Sequence, residues 1–215
     1  MKDFYWLGGK TDKSSKDEAP AIDPNNIVFI ADTSDSDDKV ERIDNRIWFY
    51  SEVTRPKILE LNKEIRTLGI EIANSATRLE SEMVNIYLHI NSYGGSVFAG
   101  LSAVDYIKTS EVPVTTVIDG CAASAATIMS VVGEHRMMHE HSFMLIHQLS
   151  AGSWGKYDEL KDDMANNDLL MKTIRDIYIQ HTKIPAKELA KMLKQDLWWT
   201  AKTCLKYGLI DEIIA

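Results

Sequence analysis

VPVTTVIDGCAASAATIMSVVG, residues 112–133, decides the fold of this 215-residue chain. The first eight residues are rich in β-branched side chains, which is typical of a strand, and the apolar residues after Ser124 predict a buried helix. Two explanations of the Ser124 hydroxyl stay open. It bonds back to a carbonyl one turn earlier in a closely packed helix, or it lies at a helix N-terminus, where N–H groups stabilise an oxyanion.

Upstream of this stretch, VNIYLHINS (84–92) is dominated by apolar residues, as expected for a strand inside a parallel sheet covered on both faces. It leads into Gly94-Gly95 and then into a segment with apolar residues at helical spacing. Paired glycines let the backbone take positive φ and let another chain or ligand approach closely. An ordinary strand-to-helix turn is the alternative. The spacing is not that of a dinucleotide-binding loop.

The remaining segments continue the alternation of strands and helices. RIWFYSEV, HRMMHE and FMLIHQ predict strands, and Thr54 can cap a helix with apolar residues at 58, 61, 65 and 68. A long helix is predicted from about Tyr157 to His181, with an apolar stripe on one face. Pro185 opens another helix, Thr200 caps a last one that Gly208 ends, and LIDEII closes the chain as a strand. This alternation predicts an α/β fold with a mostly parallel sheet.

Composition restricts the class of protein. Residues 1–40 are mostly polar and predict a partly mobile extension with one short strand at 27–31, whereas 41–215 predicts one domain. The formal charge of −8 excludes nucleic acid as an expected partner.

Apolar runs are too short to span a bilayer, and the N-terminus lacks a secretory signal. Two cysteines without ligand spacing fit a reducing compartment, so a cytoplasmic location is expected.

Histidines supply the other candidate chemistry. His147 ends the apolar strand FMLIHQ, where it is either a hydrogen-bonded core residue or a base beside Ser124. His135, His139 and His141 lie in a polar segment. No carboxylate or second imidazole stands at a helical i, i+4 spacing from them that would let both bind one metal ion. We therefore expect no metal and no cofactor.

Four ordered motifs carry a resemblance to a known family. They are INSYGGSVFAGLSAVDYI, GCAASAATIMSVVG, MLIHQ and TAKTCLKYGLIDEI. Together they resemble the proteolytic subunit of the Clp protease, ClpP, over roughly residues 44–214. The resemblance implies a ClpP/crotonase-like fold with repeated β-β-α units, a mostly parallel sheet and a protruding handle helix within about 148–181.

The resemblance also implies an assembly and a substrate. Homo-oligomeric heptameric rings would stack through the handle helix into a tetradecamer, with an AAA+ Clp ATPase as a partner and unfolded polypeptide as substrate. Residues 1–40 resemble the family's pore-lining N-terminus poorly, which weakens the expectation for the ATPase.

Carried onto this sequence, the resemblance makes Ser124 the nucleophile and His147 the general base. The oxyanion hole would be the N–H groups of Gly95 and Ala125. The substrate would add a β-strand between the Gly95–Val97 edge and the strand after His147, with contacts from Gly94, Ser96, Val97 and Leu149.

The third catalytic residue departs from the family. Met192 stands where the family has its aspartate, and Asp196 follows four residues later. Methionine cannot accept a strong bond from an imidazole N–H. Three explanations stay open: Asp196 reaches the imidazole through a shifted turn, a Ser–His pair works with a carbonyl or water, or the chain is a weakened or inactive subunit.

Three functions are therefore compared. The first is a serine endopeptidase that hydrolyses peptide bonds through an acyl-enzyme. The second is a noncatalytic ring subunit with a structural or regulatory role, for which Met192 is the main support. The third is a crotonase-type acyl-thioester enzyme, which needs no Ser–His pair and has no basic pocket for a nucleotide here.

Overall fold

The computed structural model describes residues 38–215, which form one eight-stranded sheet and six helices. In chain order the elements are β1 (Lys39–Ile43), β2 (Arg46–Tyr50), α1 (Arg55–Leu79), β3 (Ile86–Ser92), α2 (Val97–Lys108), β4 (Val114–Ala123), α3 (Ala125–Ser130), β5 (His135–His139), β6 (Phe143–Leu145), α4 (Tyr157–His181), α5 (Ala186–Met192), β7 (Trp198–Thr200), α6 (Ala201–Lys206) and β8 (Glu212–Ile214).

Strand β4 organises the sheet. The main path runs β1-β2-β3-β4-β5-β8, and every neighbouring pair from β2 to β8 is parallel. The first half of β4 pairs with β5, and its last three residues, 121–123, pair in parallel with β6. Strand β6 pairs antiparallel with β7. The predicted α/β class with a mostly parallel sheet is confirmed, and the branch at the end of β4 leads directly to the site.

Helices α1 and α2 cover the sheet as their sequences predict. Thr54 caps α1, with its side chain accepting from the Lys57 N–H at 3.4 Å. The four α1 residues predicted to face the core are each 3% exposed or less. They pack with the buried strand residues of β2, β3 and β4 in one apolar core. This core fixes the carboxyl ends of β3 and β4 next to each other.

Helix α4 divides into a buried and an exposed half. Its bounds, Tyr157–His181, are the predicted ones. Ile174 and Tyr178 are fully buried, but Leu160 is 39% and Met164 64% exposed. The predicted apolar stripe is therefore covered within this chain only over the last two or three turns.

Several boundaries differ from the sequence predictions. The short strand predicted at 27–31 lies outside the described residues. Strand β1 begins at Lys39, so the division of the chain at residue 40 would cut this strand. Strands β1 and β7 were not predicted, because three to five residues with mixed polarity carry little periodic signal. Strand β6 ends at Leu145, and His147 lies just beyond it.

Candidate active site

Ser124 occupies a strained turn between β4 and α3. Its φ of 60° and ψ of −126° lie in a region that costs a residue with a side chain about 1–3 kcal/mol. A nucleophilic serine at a strand-to-helix turn shows this kind of strain in other hydrolases, although the G-x-S-x-G pattern is absent here. The Ser124 N–H donates to the Leu145 carbonyl at 2.9 Å, and its hydroxyl does not cap the helix.

The paired glycines lie directly against Ser124. The φ of Gly94 is 98°. A β-carbon added to Gly94 would lie 2.5 Å from the Ser124 Cβ and 2.9 Å from its Oγ. Only a residue without a side chain fits there without displacing the serine.

The two amide groups predicted for the oxyanion hole belong to backbone next to Ser124. The Val53 N–H donates to the Gly94 carbonyl at 2.7 Å, and the Ser96 N–H donates to the Val53 carbonyl at 2.8 Å. In this parallel bridge the Gly95 N–H points to the side opposite Val53. Ala125 begins α3, so its N–H has no acceptor within the helix.

His147 reaches the same edge of the sheet through β6. Ala123 and Leu145 are partners in the β4–β6 register, and His147 follows two residues later. Its Nδ1 lies 3.1 Å from the Asp196 Oδ1, and its side chain is 13% exposed. Burial lowers the pKa of His147, and the charge and hydrogen bond of Asp196 partly offset this. A lowered pKa favours the neutral imidazole, which is the form that a general base needs.

Asp196, and not Met192, is the residue that the structure pairs with the imidazole. Met192 ends α5 and packs, partly buried, against the core. Asp196 lies on the loop between α5 and β7, with its side chain 77% exposed. The loop is held to the segment that carries the histidine, because the Gln148 N–H donates to the Leu193 carbonyl at 2.6 Å.

The residues predicted to bind substrate differ in whether their side chains and main-chain groups are already used within the chain. Val97 is the first residue of α2 and fully buried, so its side chain cannot contact a substrate. The Ser96 N–H already donates to Val53, and its hydroxyl caps α2. The Leu149 N–H donates to the Met171 sulfur at 3.0 Å. The Gly94 N–H donates to the Ser92 Oγ at 3.1 Å, and its carbonyl accepts from Val53. The predicted strand edge over 95–97 is thus corrected to Gly95 and the Val97 N–H.

Aromatic residues next to the site were not predicted. Tyr93, 55% exposed, meets Trp198 edge-to-face with ring centroids 6.5 Å apart. Trp198 is the β7 partner of Leu145, and this long-range pairing left no local signal in the sequence.

The other histidines have different surroundings. His89 is 8% exposed, stacks on Trp48 and lies 2.8 Å from Asp119, so its contacts are those of a structural residue inside the sheet. Within residues 38–215, no group of three His, Cys, Asp or Glu side chains could hold a metal ion. Over the same residues, no helix has the length and apolar character needed to cross a membrane.

A serine on a strained strand-to-helix turn, amide groups and a histidine–carboxylate pair at the same sheet edge are the kinds of group that a serine hydrolase uses. The family model for Clp protease matches residues 41–215. The chain belongs to the Clp protease family, which is a family of serine peptidases.

Individual relatives agree with this. The chain is 35% identical over 131 residues to the ATP-dependent Clp protease proteolytic subunit of Deinococcus radiodurans, a match that covers 60% of this chain and 64% of that protein. The Streptococcus mutans subunit of the same name is 38% identical over 134 residues, covering 60% and 68%. The solved structure of a ClpP1 point mutant from Listeria monocytogenes matches with a TM-score of 0.68 at 23% identity, covering 80% of this chain and 91% of that one. This likeness confirms the fold.

Proposed function

We propose that the chain is a serine endopeptidase in which Ser124 is the nucleophile, His147 the general base and Asp196 the residue that orients the imidazole. The observation that carries the proposal is the joint geometry at the end of β4. Ser124 is strained and packed against Gly94, and its N–H is bonded to the strand that leads to the His147–Asp196 pair.

The chemistry follows from the proton positions. Asp196 accepts from Nδ1–H of His147, which leaves Nε2 as the basic nitrogen. Nε2 takes the Ser124 proton as the oxygen attacks the peptide carbonyl, and the imidazolium then protonates the leaving amine. In the second half, Nε2 takes a proton from the water that attacks the acyl carbonyl, and the imidazolium gives that proton to the Ser124 oxygen as the acid product leaves.

The oxyanion is stabilised by the Gly95 and Ala125 N–H groups. Each such donor contributes about 3 kcal/mol to lowering the barrier in enzymes of this type. Both belong to backbone held by other contacts, Gly95 by the bridge to Val53 and Ala125 by α3. The donors are therefore in place before substrate arrives.

Unfolded polypeptide is the proposed substrate class. The exposed Tyr93 beside Trp198 offers apolar contact near the nucleophile. Main-chain pairing with Gly95 and the Val97 amide would accept many sequences. The repeating chemistry of the substrate main chain, and not a deep specific pocket, would then govern binding.

The exposed half of α4 supports self-assembly. Met164 and Leu169 are 64% and 63% exposed on a helix that also carries the exposed Tyr157. We propose that this half packs against a second copy in heptameric rings that form a tetradecamer, in the cytoplasm, with an AAA+ Clp ATPase as a partner. Light scattering at micromolar concentration tests the assembly: a monomer would contradict it.

Hydrolysis of fluorogenic peptides and of an unfolded protein tests the activity. We expect the wild type to cleave both and Ser124→Ala to lose about 10⁶-fold in kcat, which is below detection. Ser81→Ala, an exposed serine beyond α1, is the matched control and keeps full activity. A folded wild type without activity would contradict the proposal.

A noncatalytic ring subunit is the second candidate. It is favoured by the 77% exposure of Asp196, since a solvated carboxylate orients an imidazole weakly. Co-purification with an active homologous subunit, together with an inactive wild type, would support this candidate over the first.

A further inference from the structure

We infer that Thr127 and Tyr178 form a hydrogen-bond relay that positions Ser124 for reaction. The relay runs from the tyrosine hydroxyl on α4, through the threonine hydroxyl on α3, to the carbonyl of the nucleophile. The inference rests on the proposed role of Ser124 and adds two positioning residues to it. Neither residue contacts the reacting atoms.

Thr127 donates two hydrogen bonds to the Ser124 carbonyl. This carbonyl accepts the Thr127 N–H at 3.0 Å and the Thr127 hydroxyl at 2.6 Å. A carbonyl oxygen has two lone pairs, so both are used. Because the Ser124 N–H donates to Leu145, both main-chain polar groups of the nucleophile are held.

The direction of the relay follows from counting protons. A threonine hydroxyl has one proton, and that of Thr127 is donated to Ser124. In the contact between the Tyr178 hydroxyl and the Thr127 Oγ1, tyrosine must therefore be the donor. Both side chains are fully buried. Burial raises the pKa of Tyr178 well above its usual value, so the phenol keeps the proton that it donates.

The relay explains how Ser124 keeps its strained backbone. A residue at positive φ persists only where its surroundings over-determine its conformation. If the Thr127 hydroxyl no longer donates to the Ser124 carbonyl, that carbonyl can rotate toward the conformation of a relaxed turn. Rotation would move the Oγ and the following Ala125 N–H together, and displacements of that kind lower reaction rates steeply.

A simple packing contact is the rival explanation. It predicts that loss of the tyrosine hydroxyl lowers stability and leaves the reactivity of Ser124 unchanged. The relay predicts slower acylation with an unchanged KM, because substrate binding does not use these residues. The rate constant for acylation therefore distinguishes the two explanations.

The test compares Tyr178→Phe, Thr127→Ser, Thr127→Val and the Tyr178→Phe/Thr127→Val double variant in the full chain. The readouts are the rate of fluorophosphonate labelling and the KM and kcat for a fluorogenic peptide. We expect Tyr178→Phe to slow labelling about three- to tenfold at unchanged KM. Thr127→Ser keeps a hydroxyl and stays within about twofold.

The double variant tests whether the residues act as one unit. We expect it to label no more slowly than Thr127→Val alone, because that variant already breaks the relay. Tyr106→Phe, at a tyrosine 42% exposed on α2, is the matched control. Labelling of Tyr178→Phe at the wild-type rate, or rate losses that multiply in the double variant, would overturn the inference.

Hydrogen exchange keeps the inference separate from the proposed function. If wild-type Ser124 does not react, exchange of peptides spanning 121–130 still reports the backbone that the relay holds. Faster exchange in Tyr178→Phe, confined to that segment, supports the relay. Unchanged exchange there overturns it.

Discussion

The two sides of the candidate site are built differently. Ser124 is 2% exposed, with its N–H and C=O both bonded and with Gly94 in contact. Asp196 is on a loop, where its side chain is 77% exposed and pairs with His147. Strain thus lies where packing is dense, and the carboxylate that pairs with His147 lies where water screens it.

This contrast determines which changes should matter. Contacts around Ser124 cannot relax without moving the proposed nucleophile. The contact of the carboxylate is one charged hydrogen bond near the surface, which is worth little on average. We therefore expect large effects on the serine side and small ones on the aspartate side.

Among substitutions that keep the Ser124 and His147 side chains, Gly94→Ala should give the largest effect. The new β-carbon would lie 2.5 Å from the Ser124 Cβ and 2.7 Å from the Ala123 carbonyl at a φ of 98°. We expect a loss of about 10²-fold in kcat/KM, the size expected when reacting groups move by about 1 Å. Peptide hydrolysis measures this.

Gly69→Ala is the control for that substitution. Its added β-carbon would meet only the Ser110 Oγ, at 3.9 Å, within α1. We expect activity at the wild-type level. Equal activity of Gly94→Ala and Gly69→Ala would show that the serine side is not tightly packed in solution.

Met192→Asp should affect stability more than activity. Met192 packs partly buried against the core, and a carboxylate there lowers the free energy of unfolding by about 1–3 kcal/mol. Urea unfolding measures this, with Met192→Leu as the volume-matched control. A sharp rise in labelling rate would instead show that residue 192 can reach the imidazole and that Asp196 is not the orienting residue.

Asp196→Asn should give the smallest effect on rate. We expect a loss of about fivefold or less, against about 10⁴-fold for a buried orienting carboxylate. Asp196 raises the pKa of His147, which burial holds below 6.5. Removing its charge lowers this pKa further, so the acidic limb of the pH–rate profile moves to lower pH.

The control for that variant is Asp105→Asn, at an exposed carboxylate on α2. It should change neither the rate nor the pH profile. A loss approaching about 10⁴-fold in Asp196→Asn, or an acidic limb that moves to higher pH, would contradict the contrast between the two sides.

Local patterns predicted most of the fold. The Thr54 cap, the bounds of α4 and the strands leading to Gly94 and Ser124 all follow from periodicity and capping residues. Strand β7 did not, because its three residues are a strand only through pairing with β6, far earlier in the chain.

The site was predictable only in part. Ser124, His147 and the glycines follow motifs that resemble a family, and the structure brings them to one edge. The left-handed backbone of Ser124 and the contact of Thr127 with Tyr178 depend on tertiary packing. The Thr127–Tyr178 contact joins residues 51 positions apart, so no local sequence pattern predicts it.

The most direct test of the central claim is to locate a fluorophosphonate adduct by mass spectrometry. The wild type, Ser124→Ala and His147→Gln should be treated in parallel at neutral pH. We predict a single adduct per chain, on Ser124, which is absent in Ser124→Ala and much slower to form in His147→Gln. An adduct on another residue, or none on a folded and assembled wild type, would contradict the claim.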